Sequence, residues 1–138
     1  MNFKNYIMKY LFVFLLMGLV SCGDASGDEK SIVVVNGKNV STIKIGNLEI
    51  MTEDLGKMDW LEAKQACVDL GDGWRLPTKD ELNILYENKD EIGGFANYSY
   101  WSSTGYGNGD AWGQDFSKGG QYNGGRRGYL YVRSVRAF

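Results

Sequence analysis

An unbroken apolar run, Leu11-Phe12-Val13-Phe14-Leu15-Leu16-Met17-Gly18-Leu19-Val20, follows Lys4 and Lys9 and closes on Ser21-Cys22. It sets the first limit on the fold. The run is too short to span a bilayer and has no polar face with which to join a globular core as a helix. Its length and flanking charge are those of an export leader, expected over residues 1–21. The next stretch, residues 22–31, is small, polar and acidic (Asp24, Asp28, Glu29) and reads as a solvated tether. The folded domain is therefore expected over residues 32–138, roughly 105 residues, enough to bury one modest core.

The tetrapeptide Leu19-Val20-Ser21-Cys22 resembles the lipobox of bacterial lipoproteins, in which a small residue precedes the lipidated cysteine. That resemblance implies cleavage before Cys22, acylation of Cys22, and anchoring in the cell envelope, with the outer membrane and its surface as the expected site. Acidic residues just after the cysteine also resemble the surface-export signal of some Gram-negative lipoproteins. Only Cys22 and Cys67 occur in the chain, so a lipidated Cys22 leaves Cys67 with no partner and no disulfide framework. Loss of Lys4 and Lys9 with the leader leaves 13 basic against 17 acidic residues, a net charge of −4.

Patterning predicts an α+β domain, with two helices packed on small antiparallel sheets. Ile32–Val35 and Val40–Ile45 flank Asn36-Gly37, a hairpin signal, and Leu48–Met51 continues as a short strand. A helix should start after Asp59, with Glu62 completing a capping box. Trp60, Ala63, Ala66, Cys67 and Leu70 then share its inner face, and Gly71 stops it. Thr78 and Glu81 repeat the pattern for a second helix, lined by Leu82, Leu85 and Tyr86 and ending near Asn88. Tyr98–Ser103 and Trp112–Phe116 suit strands, Gly119–Gly128 reads as a Gly-rich loop, and Tyr129–Phe138 as one closing strand.

The segments Trp60-Leu61-Glu62-Ala63-Lys64, Gly73-Trp74-Arg75-Leu76-Pro77-Thr78-Lys79-Asp80-Glu81-Leu82, Tyr100-Trp101-Ser102-Ser103-Thr104 and Tyr131-Val132-Arg133-Ser134-Val135-Arg136-Ala137-Phe138 resemble the DUF1566 family. That family is also called the Lcl C-terminal or Fibrobacter major paralogous domain group. The resemblance covers about Gly46 to Phe138 and implies a C-type-lectin-like fold. The tail, about residues 100–138, is also similar to variable proteins of diversity-generating retroelements, in which template adenines are miscopied. Asparagine codons so altered yield Tyr, Gly, Asp, Ser, Arg or Leu, but not Trp, Gln or Lys. On that reading Trp112, Gln114, Phe116, Gly119 and Gln121 are fixed scaffold. The varied residues form one exposed ligand-binding face that includes Tyr106, Asn108, Asp110, Asp115, Tyr122, Asn123, Arg126, Arg127, Tyr129 and Leu130, with Trp101, Trp112, Phe116 and Val132 packed beneath.

Catalytic chemistry finds little support. The chain has no histidine, the commonest general base and metal ligand, and no cysteine cluster for zinc. The cysteine pair of formylglycine-generating enzymes and the calcium motifs of sugar-binding C-type lectins are missing. No enzyme activity, cofactor or metal is expected. The Gly-rich stretch is not a phosphate loop. Arg133 and Arg136, set in a strand pattern, are expected to form structural pairs, so nucleic-acid binding is not expected of this acidic, exported chain. Tyrosines with Gly, Asn and Asp have the composition of a paratope, and Tyr and Arg dominate interface energetics. The expectation is noncovalent recognition of a protein or glycan. The alternative left open is an undiversified structural or polysaccharide-associated envelope lipoprotein.

Overall fold

The computed structural model of the protein describes residues 29–138; the expected leader, Cys22 and nearly all of the tether lie outside them. The chain runs through β1 (Ser31–Val35), β2 (Lys38–Ile45), β3 (Leu48–Met51) and β4 (Gly56–Met58), then α1 (Trp60–Val68), α2 (Lys79–Glu87) and the single turn α3 (Lys89–Ile92). It closes with β5 (Ser99–Tyr106), β6 (Asp110–Asp115), β7 (Gln121–Gly125), β8 (Leu130–Val132) and β9 (Val135–Ala137). This is the expected α+β order, with β4, α3 and β7 in addition.

Two sheets result, one of order β1-β2-β3-β9 and one of order β4-β8-β5-β6-β7. The first begins with the Asn36-Gly37 hairpin, whose two residues take positive φ of 49° and 75°, the geometry a twisted two-residue turn requires. Both helix starts carry complete capping boxes. The Asp59 carboxylate accepts from the Leu61 and Glu62 amides, and the Thr78 hydroxyl from that of Glu81, while Glu62 and Glu81 reach back to the cap amides. Each such cap is worth about 1 kcal/mol.

Three apolar clusters fill the space between. Ile43, Ile50, Leu82, Leu85, Tyr100, Phe116 and Val135 lie between the first sheet and α2. Trp60, Ala63, Cys67, Leu76, Trp101, Ala111 and Val132 join α1 to the second sheet, and Val35, Met51 and Trp74 form the third. Trp74, Leu76 and Leu82 are core residues as expected. Cys67 is fully buried, and burial pushes its thiol up to about 11, the behaviour of a small apolar core residue.

The C-terminal ten residues differ from the single strand expected. β8 belongs to the second sheet and β9 to the first, and the chain crosses between them at Arg133-Ser134, both fully buried. The crossing is held by Arg133. Its Nε donates to Asp54 Oδ1 at 2.8 Å, Nη1 to the Met51 and Gly93 carbonyls at 3.0 and 3.1 Å, and Nη2 to the Gly94 carbonyl at 2.7 Å. The guanidinium lies 3.9 Å from the centre of the Phe95 ring. Arg136 pairs with Glu49 at 2.8 Å. Both arginines thus make the structural pairs expected of them.

The expected Gly119–Gly128 loop is also corrected. Gln121–Gly125 is a strand, paired in regular register with β6 from Gln114↔Gln121 to Asp110↔Gly125. Its ladder is made by backbone groups, so the small side chains that suggest a loop do not prevent it.

Candidate functional site

The β6–β7 hairpin is pinned at its turn. Buried Gln114 donates from Nε2 to Asn83 Oδ1 at 2.8 Å and to the Gly119 carbonyl at 3.1 Å. Gln121 donates to the Lys79 carbonyl at 2.8 Å, and Lys89 Nζ to the Phe116 carbonyl at 3.1 Å. The Phe116 ring lies among Tyr86, Phe95 and Tyr100, with centroids 5.5, 4.7 and 4.5 Å away. At Gly119 φ is +83°, and a β-carbon there would stand 2.6 Å from Tyr86 Cε1, so glycine is required for both reasons. Gln114, Phe116, Gly119 and Gln121, expected as scaffold, are the residues that fasten the hairpin to α2 and α3.

At the opposite end, the β5–β6 turn Gly107–Gly109 meets the segment after β7. Arg126 ties them together. Its amide donates to the Gly109 carbonyl at 3.0 Å, its Nε to the Asp110 carbonyl at 3.0 Å and its Nη2 to the Gly107 carbonyl at 3.4 Å. Its carbonyl accepts from the Trp60 amide at 3.0 Å. The guanidinium also lies 4.3 Å from the Trp60 ring centre, and Lys64 Nζ lies 4.5 Å from the same centre.

Of the ten expected contact residues, Tyr106, Asn108, Tyr122, Asn123, Arg127 and Tyr129 are exposed, whereas Asp110, Asp115, Arg126 and Leu130 are half-buried. The single face expected for them is not what the strands build. Side chains alternate across a strand, so Tyr122 and Asn123 point to opposite sides. Asn123 pairs with Trp112, and Tyr106 with Asp110, placing those four on the side of α2. Lys79 Nζ sits 3.5 Å from the Trp112 ring centre, and Tyr106 meets that ring edge-on at 5.6 Å. Tyr122 pairs instead with Gly113 and lies on the α1 side with Leu130, whose Cδ1 is 3.0 Å from where a Gly113 β-carbon would be.

Two further residues sit differently from expectation. Trp112, expected beneath the face, is half-exposed, because its strand parity puts it on the α2 side beyond the helix's N-terminus. Asp115 closes the hairpin turn. Its Oδ1 accepts from the Ser117 hydroxyl at 2.6 Å and the Ser117 amide at 2.7 Å, and these bonds hold its carboxyl below the usual range.

One aromatic group lay outside the expected set. Tyr98 and Tyr131 stack at 5.8 Å and 17°, with Lys57 Nζ 5.6 and 5.4 Å from the two ring centres. Tyr98 and Tyr131 lie far apart in sequence and Lys57 lies on β4, so no local pattern signalled the group. Among the described residues no three His, Cys, Asp or Glu side chains gather as a metal site, and no helix is long and apolar enough to cross a membrane.

Two small sheets, two capped helices and a β6–β7 hairpin fastened at one end define a small α+β domain that presents its aromatic and polar side chains on strands. Residues 36–136 match the Lcl C-terminal domain, and the chain belongs to that family. The match begins at Asn36, in the first hairpin, ten positions ahead of the resemblance noted from motifs. No curated protein matches the chain.

Proposed function

We propose that this protein is a lipid-anchored, C-type-lectin-like display protein of the cell envelope, tethered through Cys22. Its β5–β6–β7 end binds a protein or glycan noncovalently, without metal or cofactor, and has no enzyme activity of its own. We further propose that the tail is varied by a retroelement. The observation that carries the recognition reading is a division of labour between the β6–β7 hairpin and the segments beside it. Gln114, Phe116, Gly119 and Gln121 hold it to the helices, while Tyr106, Tyr122 and Tyr129 are 51%, 39% and 62% exposed. Large aromatic side chains left in water on a rigid support have the makings of interface anchors.

The test is a capture experiment from whole cells or mixed communities with the wild type, Y106A, Y122A and Y129A. A recognition surface loses its partner in at least one variant while Tm stays within a few degrees of wild type. Variants that unfold, or that all retain the captured partner, overturn the assignment. The retroelement reading is tested in DNA. A second copy of the gene's 3′ end, differing at adenines and lying beside a reverse-transcriptase gene, is expected, and a flank lacking both leaves only an undiversified protein.

A further inference from the structure

Each sheet has two edges, and they are protected unequally. Beyond β9, Arg75 bridges Val135 with reciprocal backbone bonds of 2.9 Å. β4 is three residues long and carries Lys57, and β7 contains two glycines that weaken it as a pairing template. β1 differs from all three. Ser31–Val35 is uncharged, runs in unbroken register with β2, and leaves Ile32 and Val34 72% and 65% exposed. Natural edges are usually blunted by charge, proline or a bulge, and β1 has none of these.

The hairpin dictates which backbone groups are free. A two-residue turn makes Val35 and Lys38 a hydrogen-bonded pair, so by alternation Val33 and Ser31 also bond toward β2. The amides and carbonyls of Ile32 and Val34 therefore point to the open edge, on the residues whose side chains are also in water.

We propose that β1 pairs with β1 of a second copy of this chain, antiparallel about a two-fold axis through Val33, joining two four-stranded sheets into one. In that register Ile32 exchanges both backbone bonds with Val34 of the second copy, and the reverse. The four exposed β-branched side chains come together on one side of the sheet. Val33 meets Val33 of the second copy in a non-hydrogen-bonded pair, with Cα atoms about 4.5 Å apart. Lys30 stands opposite Asn36 and not another lysine, so no like charges are apposed.

A second copy fits better than a foreign strand because the edge is self-complementary under two-fold symmetry and carries no charge to select an unlike partner. The area is small against the roughly 1,200 Å² at which specific interfaces begin. Pairing is thus weak in dilute solution and favoured where copies are crowded, as on a membrane. The edge exists whether or not Cys22 is lipidated.

The experiment uses the full-length chain, expressed with its own leader in a Gram-negative host, oxidised in intact cells and resolved on a non-reducing gel. V33C is expected to give a dimer band above the wild-type level, because the paired Cα separation suits a disulfide. Y122C, on the β7 edge, gives none. Adding V34K, which changes a side chain already in water, abolishes the V33C dimer while leaving Tm unchanged. The proposal is overturned if V33C cross-links no more than Y122C, if V34K leaves the dimer intact, or if the product has the mass of a complex with another protein.

Discussion

Replacing Arg133 by lysine keeps the charge and removes the fork. The arginine side chain is 0% exposed and Asp54 15% exposed, so water cannot substitute for lost partners. Four bonds are at stake: one to Asp54 and three to the Met51, Gly93 and Gly94 carbonyls. A lysine ammonium offers its donors from one point and cannot span a carboxylate and carbonyls on two separate segments. Losing two bonds to a charged donor, at about 1.5–3 kcal/mol each, amounts to about 3–6 kcal/mol, comparable to the about 3–5 kcal/mol for breaking a buried pair. Domains of this size have a total stability of about 5–15 kcal/mol, and Tm moves by roughly 4–8 °C per kcal/mol. R133K should therefore lower Tm by at least about 12 °C in thermal unfolding followed by circular dichroism. D54N should act through the same network, since Asp54 Oδ2 also accepts from the Tyr100 hydroxyl at 2.7 Å, and the double variant should lose less than the sum. An R133K shift below about 5 °C would refute the idea that this side chain holds the crossing from β8 to β9.

Gly119→Ala should destabilise the domain by about 2–5 kcal/mol in urea unfolding, combining the left-handed backbone with overpacking against Tyr86; pairing it with Tyr86→Leu should recover the packing part alone. Two ion-paired carboxylates contribute to the acid limit. Arg75 hydrogen bonds hold Glu81 below its usual range, and burial of Glu49 is outweighed by hydrogen bonds from Arg136 and Thr42, so it is lowered too. A folded-state pKa below the unfolded one means the stabilisation is present above about pH 4.5 and is lost as pH falls further. Tm should then be flat near neutrality and drop on the acid side, with a shallower acid slope in E49Q. Cys67, buried with its thiol raised to about 11, should react with a thiol reagent only as fast as the domain unfolds; rapid labelling of native protein would contradict the burial.

Which parts of this fold could be read from sequence follows the range of the forces involved. Asp59–Glu62 and Thr78–Glu81 specify helix starts through bonds that reach three residues, so the caps were legible. β4 was not, because Gly56–Met58 has no alternation and is held by β8 and by the Leu55 amide bonded to the Val132 carbonyl at 2.9 Å. Two adjacent polar residues, Arg133-Ser134, interrupt the period-2 pattern between Val132 and Val135, a break too short to end a strand in a sequence reading. Only the distant acceptors on Asp54, Met51, Gly93 and Gly94 show that Arg133 turns inward there. At the candidate site Gln114, Phe116, Gly119 and Gln121 were marked as scaffold through the codon rule of the resembled variable proteins and are the residues that fasten the hairpin, whereas Trp112, marked with them, is half-exposed. The division into two faces was hidden by reading Gly119–Gly128 as a loop; once Gln121–Gly125 is a strand, adjacent Tyr122 and Asn123 must oppose each other.

That geometry separates the residues a binding surface can vary from those it cannot. The hairpin is held at the Asp115–Gly120 end by α2 and α3 and extends away from them, so freedom to change should increase toward the other end. Exposed Tyr106, Asn108, Asn123, Arg127 and Tyr129 can change with little lost from the core. Arg126 cannot, although it sits among them. Its side chain closes the Gly107–Asp110 turn through two bonds and covers Trp60, and a β-carbon on Gly105 would stand 2.8 Å from its Nη2. Substituting Arg126 by Ala should therefore loosen the turn that carries Tyr106 and Asn108, weakening ligand capture by both and increasing amide exchange at Gly107–Asp110. If capture falls while exchange there is unchanged, Arg126 touches the ligand directly and belongs to the contact surface after all.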